Sequence, residues 1–148
     1  QVLNLLGDRQ TEEGTSYIFI SHDLGVVRYL SDDIMVLYAG HVAESGPAAS
    51  VLSAPSHPYT EALLSAVPVP DPDVKQAQIR LKGPVPSALH PPGGCRFHTR
   101  CPRRVLLPEG GAICETEAPP RRELEGGHQI LCHLSTETLS SLDPVIEK

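Results

Sequence analysis

Two groups of residues carry side chains suited to chemistry. The first is Ser21-His22-Asp23, where the apolar run Tyr17-Ile18-Phe19-Ile20 gives way to a polar turn. A histidine there can donate a hydrogen bond or relay a proton near neutral pH, and it can equally be a helix-start residue satisfied by backbone or water. A hydrolytic triad of these three neighbours fails on geometry. Adjacent side chains at a strand end diverge, whereas triad members converge from separate parts of a fold. The second group is Cys95, Cys101, Cys114 and Cys132, with the spacing C-x5-C-x12-C-x17-C.

Three chemistries suit four such thiols. A disulfide pair belongs to secreted domains, and no charged-then-apolar signal segment opens this sequence. Structural zinc favours closely spaced cysteine knuckles, which are absent, although Cys95, His98 and Cys101 would supply part of a three-cysteine, one-histidine site. An iron-sulfur cluster takes four thiolates at wider spacing, and a ligand cysteine directly before proline, as in Cys101-Pro102, recurs at such sites. Arg96, Arg100, Arg103 and Arg104 flank the first two cysteines. They are either a solvated patch or cations that lower thiol pKa and offset thiolate charge. No base can be nominated for a catalytic thiol.

The elements around these residues follow from periodicity. The Tyr17 run, without polar alternation, predicts a strand covered on both faces, as in parallel α/β sheets. Asp23 predicts an N-cap, with Leu24, Val26, Val27 and Leu30 at helical intervals after it. In open parallel sheets the carboxyl ends of strands face the ligand crevice, so His22 would be delivered to that edge. Residues 2 to about 10 predict a helix, broken at Glu13-Gly14-Thr15. Ile34 to Tyr38 predicts a second apolar strand, joined through Ala39-Gly40-His41 to a half-exposed strand from Val42 to Gly46, with Gly40 at positive φ and His41 solvated at the tip. Pro58 predicts the first turn of another helix, with Tyr59, Ala62, Leu63 and Ala66 as its apolar stripe. From Pro68 to Pro92 the reading is polyproline-like extension with a short strand at Ile79 to Leu81, and after Leu134 a polar, fraying tail.

Composition divides the chain in the same place. The 148 residues fit one domain, or a truncated domain with an appendage, and the opening Gln1-Val2-Leu3-Asn4-Leu5-Leu6 reads as the middle of a helix, which points to a fragment of a longer protein. The net charge of -6 arises wholly in residues 1–66, with two basic groups against eight acidic, while residues 67–148 carry ten of each. Twelve of the fifteen prolines lie after residue 66, so the second part should be loop-rich and need a staple. Neither part is basic, and four Tyr, two Phe and no Trp offer little for base stacking, so nucleic acid is disfavoured as a partner. No apolar run approaches the ~18–20 residues needed to span a bilayer.

Phe19-Ile20-Ser21-His22-Asp23-Leu24-Gly25-Val26-Val27 resembles the switch-histidine loop of ATP-binding-cassette (ABC) ATPases, and closely that of dipeptide and oligopeptide importers. Ile34 to Pro47 resembles the closing hairpin of their nucleotide-binding domain, which implies a following helix, here Ala48 to Leu52. The string Pro55-Ser56-His57-Pro58-Tyr59 resembles the segment that opens the C-terminal extension of the peptide and nickel importer ATPases, as does Gly83-Pro84-Val85-Pro86-Ser87 further on. Gly94-Cys95-Arg96-Phe97-His98-Thr99-Arg100-Cys101-Pro102, with Cys114 and Ile130-Leu131-Cys132-His133, is similar to that family's C-terminal cysteine motif. One departure is the Cys101 to Cys114 interval, which is longer than the family's usual spacing.

The resemblance implies an α/β fold: the C-terminal part of a RecA-like ABC nucleotide-binding domain (parallel strands plus closing hairpin) over residues 1–54. A loop-rich, Pro-rich, cysteine-containing extension over 55–134 and a polar tail over 135–148 would follow. It implies His22 as the switch histidine contacting the γ-phosphate of ATP, with Mg2+, in the intact subunit. It also implies Cys95, Cys101, Cys114 and Cys132 as ligands of a 4Fe-4S cluster, and gives His57 no catalytic part. The implied partners are a second ABC ATPase subunit and membrane-spanning permease subunits, on the cytoplasmic face of the cell membrane. The implied task is energising import of dipeptides or oligopeptides. The chain holds no Gly-x4-Gly-Lys-Ser/Thr loop and no Leu-Ser-Gly-Gly-Gln signature, so alone it is expected to be inactive. The competing reading is a stand-alone iron-sulfur or zinc module for interaction or redox sensing.

Overall fold

A computed structural model describes residues 2–53, 57–68 and 78–142. The Pro55-Ser56 start of the His-Pro-Tyr string, most of the expected polyproline stretch and the last six residues lie outside this set. Helix α1 spans Val2–Glu13 and stops where Gly14 takes a positive φ. It buries none of its residues. It is tied to the next helix by polar contacts, Tyr29 Oη donating to Asn4 Oδ1 at 3.0 Å. Helix α2, Leu24–Leu30, is capped as predicted: Asp23 Oδ1 accepts from Gly25 N–H at 2.9 Å and Val26 N–H at 3.2 Å.

Strands β1, Asp33–Tyr38, and β2, His41–Pro47, form the predicted hairpin. Both turn residues, Ala39 and Gly40, have positive φ, as a two-residue turn between right-twisted strands requires. Strand β1 alternates strictly, with Ile34, Val36 and Tyr38 buried and Met35 and Leu37 exposed. Helix α3, Ala48–Val51, follows and sets Val51 against Ile34 and Val36.

The sheet departs from expectation. Its order is β1-β2-β4-β3, where β3 is Arg121–Glu123 and β4 is Gln129–Leu131, and every pairing is antiparallel. The Tyr17 run forms no strand: Ile18 is 98% and Ile20 93% exposed. Uninterrupted hydrophobicity records that a segment is covered on both sides, and no strand among the described residues lies beside this one to cover it. Instead, the cysteine-bearing segment supplies β4, which pairs Ile130 with Glu44 and Gln129 with Ser45. Backbones meet so closely there that a Cβ on Gly46 would lie 2.8 Å from His128 Cα.

Helix α4, Pro58–Ser65, begins at the predicted proline but buries a more polar face than the expected stripe. Pro58, Thr60, Glu61, Ala62 and Ser65 are buried, while Ala66 is exposed. Partners explain this, since Arg103 holds Glu61 and the Ile79 N–H donates to Ser65 Oγ at 3.0 Å. No strand forms at Ile79 to Leu81, and Leu81 packs against the aromatic core instead. Over residues 135–142 the expected fraying tail is also corrected. Ser135 caps helix α6, Thr136–Ser140, whose Leu139 is buried with Ile130, Cys132 and Leu134. Among the described residues no helix is long and apolar enough to cross a membrane.

Candidate functional site

Three of the cysteines are gathered by a coil of tight turns. His98 N–H donates to the Cys95 carbonyl at 3.0 Å and Arg100 N–H to that of Phe97 at 3.0 Å. Cys95 N–H donates to the Cys114 carbonyl at 2.9 Å. The long Cys101 to Cys114 interval therefore loops out without carrying Cys114 away. It does so through two 3-10 turns, Arg104–Leu106 and Pro108–Gly111, before helix α5, Ile113–Thr116, returns Cys114 to Cys95. Gly94 is obligatory in this arrangement, because at φ 56° its Cβ would lie 2.5 Å from the Cys114 carbonyl oxygen.

Cys95 and Cys114 share a buried cluster with Tyr38 and Phe97, against which Cys101 packs. Cys132 belongs to a second cluster, with Ile130, Leu134 and Leu139, and Leu107 touches both. All four thiols are free. Burial raises each of them, Cys101 to about 11 and Cys132 to about 12. The sulfurs also raise one another: Cys132 is affected by Cys101, Cys95 and Cys114, and Cys101 by Cys95 and Cys114. Backbone N–H groups oppose this, those of Phe97 and His98 at Cys95, Arg103 and Arg104 at Cys101, and Leu134 at Cys132.

The expected lowering of thiol pKa by the arginines does not prevail. Arg103 spends its guanidinium on Glu61, with Nε donating to Oε2 at 3.1 Å. Arg104 Nη2 donates to Glu115 Oε1 at 2.5 Å, and Arg96 donates to the Pro92 carbonyl. Nor does His98 join the thiols as a fourth donor. Its Nδ1 lies 2.8 Å from the Cys95 carbonyl oxygen, and among the described residues no three of His, Cys, Asp or Glu are grouped so as to hold a metal ion.

His22 is exposed, one residue before the α2 cap, and none of the three buried clusters includes it. Ser21 Oγ accepts from the Asp23 N–H at 3.0 Å, so Ser21 and Asp23 shape the turn. They do not converge on the imidazole as a triad would. His41 is exposed at the hairpin tip, as predicted.

A second polar set is invisible in the sequence pattern. Glu44, on the strand predicted half-exposed, is fully buried. Its Oε1 lies 2.6 Å from His128 Nε2, and its Oε2 accepts from the His57 N–H at 2.9 Å. His57 and His128 are themselves buried. The His57 ring caps α4, its Nδ1 accepting from the Tyr59 N–H at 3.1 Å. Burial pulls its pKa down to about 4, with the Leu131 backbone opposing. Beside it, Tyr38, Tyr59 and Phe97 stack with ring centroids 4.8 to 5.3 Å apart. Only the proline after His57 hinted at a helix start; nothing local marked Glu44 for burial.

Residues 43–106 match the family model for the oligopeptide/dipeptide transporter, C-terminal region. The chain is 46% identical over 139 residues to the di/tripeptide transport ATP-binding protein DppF of Pseudomonas aeruginosa, covering 94% of this chain and 41% of that protein. It is 45% identical over 136 residues to YkfD of Bacillus subtilis, provisionally named an oligopeptide transport ATP-binding protein, covering 90% and 40%. A Sinorhizobium fredii protein provisionally named a peptide ABC transporter ATP-binding protein is 44% identical over 134 residues, covering 90% and 36%. The chain thus spans about two fifths of the length of these relatives.

Proposed function

The chain belongs to the family of peptide-transport ATP-binding proteins, and from that premise we propose that it is the C-terminal part of an ATP-hydrolysing subunit that energises import of dipeptides or oligopeptides. Residues 1–54 would complete a RecA-like nucleotide-binding domain, 55–134 form the cysteine-bearing extension, and 135–148 close it. A second ATPase subunit and membrane-spanning permeases would be the partners, with the subunit peripheral on the cytoplasmic face of the membrane. ATP and Mg2+ would be held mainly by parts of the subunit outside these residues.

One observation carries the reading: the apolar run that leads straight into His22 is exposed along its length, Ile18 98% and Ile20 93%, with Tyr17 and Phe19 about half. Covering each such side chain is worth about 1.5–3 kcal/mol, which a remaining sheet would supply. His22 would then stand at the rim of that sheet, where its imidazole can donate to the γ-phosphate and help carry charge in the transition state. The match over 94% of the chain counts against a stand-alone cysteine module, because it runs through the His22 loop as well as the thiols. In the complete importer, His22→Ala is expected to lower the ATP hydrolysis rate about a hundredfold or more while ATP still binds. A rate within twofold of wild type would overturn the role of His22.

The four thiols are read as ligands of a 4Fe-4S cluster on two grounds: the resemblance of their motif, and packing that puts Cys95, Cys101 and Cys114 at one buried cluster whose neighbour Leu107 also packs against the cluster of Cys132. Backbone N–H groups directed at three of the sulfurs are the kind of donor that stabilises bound thiolates and tunes a cluster. Such a cluster, when bound, would supply one-electron redox chemistry and a covalent staple. Iron and acid-labile sulfide in anaerobically purified protein, lost in a Cys101→Ser variant, are the expected result; iron-free wild type would refute it.

A further inference from the structure

We propose that the Tyr38 hydroxyl is a hydrogen-bond donor to the group that the four thiols hold, and that it sets the redox balance of that group. This deepens the cluster reading above and rests on it, but adds a residue that is not a ligand. The starting point is an orphaned atom. Tyr38 is 6% exposed, and among the described residues its Oη is buried without a hydrogen-bond partner. Leaving a buried hydroxyl unpaired costs about 1–3 kcal/mol, so packing alone would be better served by phenylalanine. The ring is well held without its oxygen, its centroid lying 4.8 Å from that of Tyr59 and 5.0 Å from that of Phe97, both in edge-to-face geometry.

The company Tyr38 keeps supplies the acceptor. It is buried in one cluster with Cys95, Phe97 and Cys114, and Cys101 packs against that cluster. Three of the four cysteines therefore meet the residue with the spare proton. As neutral thiols they accept poorly. As thiolates around iron and sulfide they are anionic acceptors, and a hydrogen bond to such a sulfur favours the more negative, reduced state. A second orphan lies in the same coil, since Arg100 Nε, one residue before Cys101, is also buried without a partner among the described residues. The other three arginines near these cysteines are engaged, by Glu61, Glu115 and the Pro92 carbonyl. Of the three such buried atoms among the described residues, two thus fall in the cysteine coil or its cluster, the third being Thr60 Oγ1 on α4. Donors that lack acceptors, beside sulfurs that gain charge on ligation, form a complementary set.

The test uses the 148-residue chain, loaded anaerobically with ferrous iron and sulfide and titrated with dithionite and redox mediators, the visible absorption being followed. Tyr38→Phe removes the oxygen and keeps the ring. At a fixed potential it is expected to lower the ratio of reduced to oxidised cluster about tenfold, a shift of about 59 mV for one electron. Tyr59→Phe, which takes a hydroxyl from the neighbouring ring, should stay within about twofold of wild type. A second measurement separates this role from packing. In the reduced, metal-free chain the urea midpoint of Tyr38→Phe should equal or exceed that of wild type, because the hydroxyl removed was unpaired. A Tyr38→Phe ratio within twofold of wild type, the same shift in both variants, or a lowered metal-free midpoint would overturn the proposal, the last because it shows the hydroxyl already bonded. Wild type that takes up no iron and sulfide refutes the cluster reading and this role with it. Loaded wild type with an unmoved Tyr38→Phe ratio refutes the donor role alone.

Discussion

A carboxylate shut away from water needs both oxygens occupied, and Glu44 meets that need with His128 on one and the His57 N–H on the other. Glu44→Ala would strand two donors in the interior, and a loss of about 3–5 kcal/mol is expected, read as a lowered urea midpoint. Burial of His57 predicts a pH dependence of the fold's stability. The histidine's folded pKa is depressed to about 4 from 6.5, so the unfolded chain takes up the proton first as pH falls. The contribution is complete above about pH 6.5 and is lost as pH drops toward 4, about 3 kcal/mol in all. Urea titrations at pH 7 and 4.5 should show this slope in wild type and a flatter one in His57→Asn, in which Glu44, His128, Tyr38 and Tyr59 still face the site. Equal slopes would show that His57 does not stay neutral.

At the level of elements, the junction of β2 and β4 is set by one glycine. At Gly46, φ is 147° and an added Cβ would meet His128 Cα at 2.8 Å. Gly46→Ala is therefore expected to cost about 1–3 kcal/mol from backbone strain, with more from parting the strands, and to lower the melting temperature measured by circular dichroism. Ser135→Ala, which removes the α6 cap bond to the Thr138 N–H at 3.2 Å, should cost only about 1 kcal/mol. The elements legible in the sequence were those specified locally: the Asp23 cap, the Pro58 helix start, and the hairpin with Gly40 at its turn. Those missed were decided at long range. Alternation in β2 could say that one face was half exposed, not that β4 would arrive from more than eighty residues away and bury Glu44. The arginines near Cys95 and Cys101 were visible, but Glu61, which draws off Arg103, sits 42 residues upstream.

Seen whole, the chain is well packed around its cysteines and poorly covered around its nucleotide-facing candidate. Ile18, Ile20, Met35 and Leu37 are all exposed apolar side chains, on the run before His22 and on β1. The four cysteines were legible as a set, and three of them are gathered by nearby turns, while the strand expected at Tyr17 is unpaired here. That contrast is what a sequence adapted to a larger sheet should give when two fifths of the relatives' length is present. The most direct measurement is amide hydrogen exchange over residues 17–22, compared between this chain and the intact subunit. Exchange is expected to be rapid in the chain alone and slowed by orders of magnitude in the intact subunit, as the run becomes a buried strand ending at His22. Equally rapid exchange in both would contradict the account, since nothing would then hold that imidazole at the edge of a nucleotide-binding sheet.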